Sequence, residues 1–273
     1  MRTIKQILIL ALVALLAGHV VTAIYKGSSD RTVGPTIECA DTILEVRASD
    51  SGSALMEGIT AYDPQDGDLT QKVIVASVSK LVSNNTAKVT YLVFDSDDNM
   101  ATLIRRIRYI DYMKPYFSIN AATPLIYPST AENVQVVDRV QAHDVVDGDL
   151  TQRIRVSTLS PTEDTEVYDI TLQVTNSLGD TAWVKLPVQL LPTDPMRPTI
   201  TLKEYLVYAE LDSTFDPMDY LASATLPDGT ALTPEDVTVT GTVDTSTVDT
   251  YRITFSYSHG TSVGKAILTV VVV

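Results

Sequence analysis

The sequence of 273 residues has only one cysteine, Cys39, three histidines and one tryptophan. A single cysteine forms no intrachain disulfide, which excludes a disulfide-stapled scaffold and the Cys–Trp–Cys pattern of antibody-type domains. Cys39 with His143 and His259, the two histidines beyond the N-terminal segment, is too small a set for a structural zinc site. The sequence also lacks a glycine-rich phosphate loop, a metal-binding histidine pair and a nucleophile elbow. We therefore predict that the protein is not an enzyme.

Positive charge is also scarce, with 20 Lys and Arg against 34 Asp and Glu, which gives a formal net charge of -14. An acidic surface of this size repels phosphate backbones, so we predict no nucleic-acid partner. The charge is compatible with divalent cations or basic surfaces as partners, and an excess of acid also serves solubility alone. Hydrophobic residues make up 45% of the chain, which is sufficient for packed cores in two or three small domains.

The N-terminal segment, residues 1–30, contains an apolar run over residues 7–25, close to the roughly 20 residues that span a bilayer as a helix. Arg2 and Lys5 precede the run and favour an N-in, C-out membrane anchor. The alternative is a cleaved signal peptide, with Val21-Thr22-Ala23 as a small-residue cleavage site. Both interpretations place the rest of the chain outside the cytoplasm, and the first makes the membrane a partner through residues 7–25.

The remainder of the chain repeats itself about every 80 residues. Gly67, Gly148 and Gly229 are spaced by 81 residues. The first two lie in nearly identical segments, AYDPQDGDLTQKV and AHDVVDGDLTQRI, and the third lies in a weaker copy, DGTALT. From this period we predict domains over residues 31–112, 113–195 and 196–273, the last being divergent. They are called the first, second and third repeat below.

Each repeat contains short strands rich in Val, Ile, Thr and Tyr, with turn signals every 8–12 residues, as β-sandwiches do. The residues predicted to face the core alternate with period two; they are Val89, Tyr91 and Val93, then Ile170, Leu172 and Val174, then Ile253, Phe255 and Tyr257. We predict an all-β chain of three tandem immunoglobulin-like β-sandwiches after an N-terminal hydrophobic helix. Linkers of two to four residues between the predicted domains favour a semi-rigid rod.

The shared pattern runs from Pro-x-Ile through Ala-x-Asp-x-x-Asp-Gly-Asp-Leu-Thr to an alternating strand ending in Asp or Asn. It resembles the bacterial immunoglobulin-like surface domains described from a pesticidal crystal protein. The resemblance covers residues 35–110 and 115–190 well and residues 198–273 loosely. It implies a cell-surface or extracellular location and a role in interaction or spacing, and it implies no activity.

The recurring acidic residues Asp63, Asp66 and Asp68, with Asp144, Asp147 and Asp149 in the second repeat, allow three interpretations. Carboxylates this close together can supply the oxygen ligands of Ca²⁺, although the spacing is not that of an EF-hand. A carboxylate pair can act as acid and base, but an active site is rarely duplicated on tandem modules. The third repeat keeps the glycine and a nearby Leu-Thr while losing carboxylates. We therefore favour a structural turn, with no obligatory cofactor, in which the glycine adopts positive φ and Asp accepts backbone N–H groups.

Two further segments carry predictions. Arg105-Arg106-Ile107-Arg108 is a basic stretch in which Arg106 and Arg108 share a solvated strand face. The terminal Val270–Val273 is apolar on both faces, which predicts a strand covered by another element or an exposed edge for a partner strand.

Together these observations predict a non-enzymatic, membrane-anchored or secreted bacterial protein for adhesion, spacing or surface assembly, with an unknown surface protein or glycan as partner. The alternative is a calcium-dependent extracellular binding module for glycan or protein ligands.

Overall fold

The computed structural model of the protein describes residues 33–50, 52–83, 85–132 and 134–273. The predicted N-terminal anchor or signal peptide therefore lies outside the described residues. Among the described residues, no helix is long and apolar enough to cross a membrane. The chain forms two compact units, one ending at Tyr112 and the other comprising Met113–Val273. Each unit is described by itself.

Regular structure in the described residues consists of strands and short 3₁₀ helices, which confirms the predicted all-β class. The strands of the first repeat are β1 Thr36–Cys39, β2 Ile43–Val46, β3 Ile59–Asp63, β4 Gly67–Asp68, β5 Ile74–Val78, β6 Thr86–Phe94 and β7 Met100–Tyr109. Those of the second are β8 Tyr116–Ile119, β9 Ile126–Pro128, β10 Val140–Asp144, β11 Gly148–Asp149, β12 Arg155–Pro161, β13 Val167–Thr175 and β14 Thr181–Leu191. Those of the third are β15 Thr199–Leu202, β16 Leu206–Ala209, β17 Leu221–Thr225, β18 Thr238–Thr240, β19 Thr250–His259 and β20 Ser262–Val272. The 3₁₀ helices are Ala54–Met56, Thr70–Lys72, Val136–Asp138, Thr151–Arg153, Pro217–Tyr220 and Pro234–Asp236.

Each repeat builds two sheets with the same topology. In the first repeat the sheets have the orders β1-β3-β4 and β2-β7-β6-β5, in the second β8-β10-β11 and β9-β14-β13-β12, and in the third β15-β17 and β16-β20-β19-β18. The second strand of each repeat pairs in parallel with the last strand, while the other pairs are antiparallel. The chain thus crosses between the sheets after its first strand, as immunoglobulin-like sandwiches allow.

The cores lie where the alternating pattern predicts them. Val89, Tyr91 and Val93 on β6 are fully buried, and the equivalent residues on β13 are at most 5% exposed. On β19, Ile253 and Phe255 are fully buried, whereas Tyr257 is partly exposed and packs at the edge of the third core. Successive side chains of a strand point to opposite faces, so one alternating strand is enough to define the inner face of each sandwich.

Within the second unit, the second and third repeats share their hydrophobic packing. Leu206 of β16 belongs to the core of the second repeat, while Ile119 and Ile126 pack against the core of the third. The terminal strand β20 lies inside its sheet, with Val270 and Val272 in the third core and Val271 packed against the second. Of the two alternatives for Val270–Val273, the covered strand holds for Val270–Val272, because the neighbouring repeat packs against the outer face, whereas Val273 is 59% exposed.

Candidate functional site

The acidic motif of the first repeat forms the loop between β3 and the 3₁₀ helix Thr70–Lys72. Asp63 Oδ1 accepts hydrogen bonds from the backbone N–H groups of Gln65 and Asp66, at 2.8 and 2.9 Å. Asp68 Oδ1 accepts from the Thr70 N–H at 2.9 Å. The fully buried Leu69 follows, and its N–H donates to the Ala61 carbonyl. Carboxylates thus satisfy backbone donors that a loop would otherwise leave open.

The second repeat reproduces this geometry. Asp144 Oδ1 accepts from the N–H groups of Val146 and Asp147, at 2.9 and 2.8 Å. Asp149 Oδ1 accepts from the Thr151 N–H at 2.8 Å, and the 1% exposed Leu150 fills the end of the sandwich. Because the loop recurs with the same hydrogen bonds on a separate core, its conformation follows from the local sequence.

The middle aspartate of each motif has a different role, since it joins two loops that are 30 residues apart. Asp66 accepts from the Ser96 N–H at 2.6 Å and from the Ser96 hydroxyl at 2.7 Å. Asp147 makes the same pair of contacts with Ser177, at 2.7 and 2.5 Å. The hydrogen bonds from Ser96 hold the pKa of Asp66 below its usual value, so this carboxylate is negatively charged at neutral pH. It ties the acidic loop to the turn between β6 and β7.

In the third repeat the structure corrects the alignment that the glycine spacing suggested. The Leu232 N–H donates to the Ala224 carbonyl as Leu69 donates to Ala61, so this strand and turn are displaced by one residue from the period. The loop position of Asp63 is consequently occupied by Leu226, and that of Asp66 by Gly229. Asp228 accepts from the Thr230 N–H within this turn. Sequence comparison missed the displacement because a glycine can supply positive φ at either of two adjacent loop positions.

Backbone conformation explains why glycine occupies this position of the motif. Gly67, Gly148 and Gly229 have φ of 79°, 71° and 87°. At each of them an added Cβ would meet no atom within 4 Å, so lack of space is not the reason for glycine. Side chains in this left-handed region cost about 1–2 kcal/mol.

We therefore expect Gly67→Ala to lower the free energy of unfolding of the first unit by about 1 kcal/mol. Gly52→Ala is the matched control, because Gly52 also has open space around it but does not adopt positive φ. Urea unfolding followed by circular dichroism would measure both. Equal stabilities for the two variants would contradict the assigned backbone role of Gly67.

No group of three or more His, Cys, Asp and Glu side chains is arranged to hold a metal ion in the part of the chain that the structure describes. Calcium binding by Asp63, Asp66 and Asp68, or by Asp144, Asp147 and Asp149, stays a prediction. The structure places all six residues in hydrogen-bonded turns.

The sequence analysis missed two features, the first of which is a contact between a serine and a histidine. The Ser118 hydroxyl lies 3.2 Å from His143 Nε2 across strands β8 and β10, although the spacing of these residues gives no serine–histidine signal. Asp149 is opposite His143 on β11, but its Oδ1 accepts from the Thr151 N–H. Hydrogen bonding with the Thr151 side chain and then with its N–H, with a smaller contribution from His143, lowers the pKa of Asp149. Ser118 and His143 are therefore explained as a cross-strand polar pair.

The second missed feature is Arg105, which lies in the core although it opens the predicted basic stretch. Its side chain is 2% exposed, and it donates from Nε to the Asp41 carbonyl at 2.9 Å and from Nη1 to the Glu57 carbonyl at 2.5 Å. Arg106 and Arg108 are exposed, as predicted, and Arg108 pairs with Glu45 at 3.2 Å. Arg105 lies at a core-facing position in the alternation of β7, which indicates that it is buried. The sequence analysis missed this because arginine is usually exposed.

These sandwiches and turns define a protein built from immunoglobulin-like modules. Residues 211–271 match the family model described as bacterial Ig-like domain (group 3), which confirms the resemblance found in the sequence. The match falls on the third repeat, the one that the acidic motif covers only loosely. No curated protein matches this chain.

Several solved structures are similar at low identity. The M60 catalytic domain with the CBM51-1 and CBM51-2 domains of Clostridium perfringens ZmpB is 13% identical, with a TM-score of 0.24, over 87% of this chain and 30% of that one. The protocadherin GammaB4 extracellular domain is 11% identical, with a TM-score of 0.21, over 89% and 50%. Human CDH23 EC21-23 is 13% identical, with a TM-score of 0.22, over 84% and 97%. This chain therefore spans about a third of the first structure and half of the second, and TM-scores of this size say nothing about its function.

Proposed function

We propose that this chain is a non-enzymatic, extracytoplasmic bacterial protein in which Ig-like domains over residues 31–112, 113–195 and 196–273 form a rod for adhesion, spacing or surface assembly. Its partners in this proposal are the membrane, through residues 7–25 in an N-in, C-out orientation, and a surface protein or glycan. The match of residues 211–271 to bacterial Ig-like domains supports a surface or binding module. The proposed spacer role rests on how the second and third repeats are joined.

The junction between these repeats combines apolar packing with ion pairs. Besides the shared hydrophobic contacts, Arg197 makes a two-point ion pair with Glu166, at 2.8 and 3.0 Å, and donates to the Val263 carbonyl. The hydrogen bond to Glu166 raises the pKa of Arg197, and both side chains are at most 24% exposed. Two-point arginine–carboxylate pairs fix orientation as well as distance.

Further contacts continue along the same junction. Lys265 pairs with Asp164 at 2.6 Å, and Arg252 pairs with Asp169. The Tyr208 hydroxyl accepts a hydrogen bond from the Phe117 N–H at 2.9 Å. Hinge motion would break several partly buried polar contacts at once and would also expose apolar surface. We infer that the second and third repeats move as one stiff body, which is the property that a spacer requires.

We expect spin labels at Gln141→Cys and Ser258→Cys, in a Cys39→Ser background, to give a narrow distance distribution by pulsed electron paramagnetic resonance. Both label sites are exposed and lie in different repeats of the second unit. Adding Arg197→Ala should broaden the distribution, because it removes the two-point pair with Glu166. A label pair within one repeat, at Gln141→Cys and Arg155→Cys, is the control and should not respond.

A broad distribution in the starting protein would refute the stiff junction. The location is tested separately, by digesting the chain with protease on intact cells and by fractionating those cells. If the chain is protected from protease and recovered in the cytoplasmic fraction, the extracytoplasmic role is wrong whatever the stiffness of the junction.

The second candidate function is a calcium-dependent extracellular binding module for a glycan or protein. The observation in its favour is a cleft of about 300 Å³ between the turn that joins β12 to β13 and the outer face of β18, β19 and β20. Its lining combines apolar Val167, Val263 and Ile267 with charged Asp164, Arg252 and Lys265 and with the hydroxyl-bearing Thr162, Thr240, Thr254 and Ser256. A hydroxyl-rich lining of this kind suits a polar ligand such as a sugar. Glycan-array binding that is lost in Thr254→Val would favour this function over the spacer.

A further inference from the structure

One carboxylate oxygen in the first repeat is buried without a partner. Asp63 is 1% exposed, and its Oδ1 accepts the two backbone hydrogen bonds of the acidic loop. Its Oδ2 has no hydrogen-bond partner. A buried polar atom that loses water without gaining a partner costs free energy, and for a charged oxygen the cost is larger. Such an atom calls for a specific explanation.

In the second repeat the equivalent carboxylate oxygen has a hydrogen-bond partner. Asp144 is the equivalent residue, with the same Oδ1 contacts, and it is 5% exposed. Its Oδ2 accepts a hydrogen bond from Nδ2 of Asn176, at 3.1 Å. Asn176 is itself buried, at 4% exposure. A neutral amide donor therefore satisfies the inner carboxylate oxygen of the second repeat.

The first repeat has Asp95 in the position of Asn176, 81 residues earlier. The two side chains are placed alike, because Oδ1 of each accepts from the backbone N–H four residues later: Asn99 for Asp95, at 2.8 Å, and Asp180 for Asn176, at 2.9 Å. The second terminal atom of Asp95 is consequently an oxygen where the second repeat has an N–H donor. By this equivalence Asp95 brings a second carboxylate toward Asp63 Oδ2, and its own Oδ2 accepts a hydrogen bond from Asn99 Nδ2 at 2.8 Å. Like charges placed in this way repel each other.

We propose that the first repeat binds one Ca²⁺ between Asp63 and Asp95, at a place where the second repeat uses the amide of Asn176 instead. Asn99 borders the site, since its Nδ2 donates to Asp95 Oδ2 at 2.8 Å; in this proposal the ion displaces that donor and the amide turns to offer Oδ1. Asp95 is half-buried and gives the ion a route to solvent. Carboxylate and amide oxygens with remaining positions filled by water suit a hard cation, whereas zinc and copper prefer nitrogen and sulfur.

The distribution of charge between the repeats supports this assignment. In the second repeat the carboxylate moves one step outward: Asn176 replaces Asp95 at the inner position, and Asp180 replaces Asn99 at the outer one. At these two positions the number of acidic groups is unchanged, but the carboxylate at the inner position is removed. The site is thus expected in the first repeat alone, and it does not depend on whether the chain is a spacer or a binding module.

The experiment measures thermal unfolding of the full chain by calorimetry, in EGTA and in 10 mM CaCl₂, together with equilibrium dialysis against ⁴⁵Ca²⁺. We expect calcium to raise the melting temperature of the first unit by about 5 °C or more, because a ligand that binds only the folded state stabilises it. Dialysis should give one ion per chain.

The two repeats supply matched variants for this experiment. Asp95→Asn copies the second repeat and should abolish both the calcium shift and the bound ion, while raising the melting temperature in EGTA. Asn176→Asp recreates the carboxylate pair in the second repeat and should add a second bound ion. Asp97→Asn removes the same charge from an exposed position of the same turn and should leave the calcium response intact.

Equal melting temperatures of the unsubstituted chain in EGTA and in calcium, with no bound ⁴⁵Ca²⁺, would overturn the proposal. So would a calcium response that survives in Asp95→Asn, because the ion would then bind elsewhere. Stability that changes with pH but not with calcium would identify a shared proton in place of the metal, which also overturns it. Failure of Asp95→Asn to fold would leave the dialysis of the unsubstituted chain and of Asn176→Asp to decide.

Discussion

Arg105→Ala is expected to lower the free energy of unfolding of the first unit by about 3–5 kcal/mol. The guanidinium is 2% exposed and donates to the Asp41 and Glu57 carbonyls, which belong to two different connecting segments. Removing it takes the guanidinium donors away from both carbonyl oxygens and leaves a cavity where the 2% exposed side chain was packed. Chemical unfolding with near-ultraviolet circular dichroism would measure the loss.

Arg106→Ala is the control for this prediction, because Arg106 is the next residue on β7 and lies exposed on the opposite face. Its removal should change stability by less than about 0.5 kcal/mol. Arg105→Leu provides a second comparison, since Leu186 occupies the equivalent position in the second repeat. Leucine restores apolar volume but not the two hydrogen bonds, so this variant should remain well below the starting stability. Full stability of Arg105→Leu would mean that packing alone explains the residue.

Leu206→Ala should cost about 2–4 kcal/mol, the usual range for truncating a buried leucine. Leu206 lies on β16 of the third repeat, is 7% exposed and packs into the core of the second. Because one side chain serves both repeats, the substitution should also weaken their coupling. Calorimetry is expected to show the second unit unfolding in two steps after the substitution and in one step before it.

Leu211→Ala is the corresponding control, because Leu211 belongs to the same repeat and is 47% exposed. It should leave both the melting temperature and the single transition of the second unit unchanged. If Leu206→Ala lowered stability while keeping one transition, the leucine would be a core residue but not the coupling element.

Much of the fold could be predicted because it depends on short-range patterns. Alternating apolar residues on β6, β13 and β19 identified the inner faces, and Gly67 and Gly148 were correctly predicted to have positive φ. The hydrogen bonds of Asp63 and Asp68 to nearby N–H groups are equally local. Contacts that span two to four residues depend little on the rest of the chain, so sequence alone was sufficient for them.

The features that sequence did not predict involve residues far apart in the chain. The contact from Ser96 to Asp66 spans 30 residues, and that from Arg197 to Glu166 spans 31. Neither has a local signature, because serines and surface ion pairs are common everywhere. The one-residue displacement of the third turn was missed for a related reason. Cross-strand pairing, seen only in three dimensions, fixes the register there.

The sequence by itself determined the all-β class, the repetition of one module and the turns in which its aspartates lie, because alternation, glycine and Asp–backbone bonding are properties of neighbouring residues. Only the tertiary structure decided that Arg105 is a core residue, that Leu206 belongs to the neighbouring core and that Asp63 keeps one buried oxygen without a hydrogen-bond partner. The physical reason is that burial and charge pairing depend on which distant segments of the chain come into contact, and those contacts are known only from the folded structure.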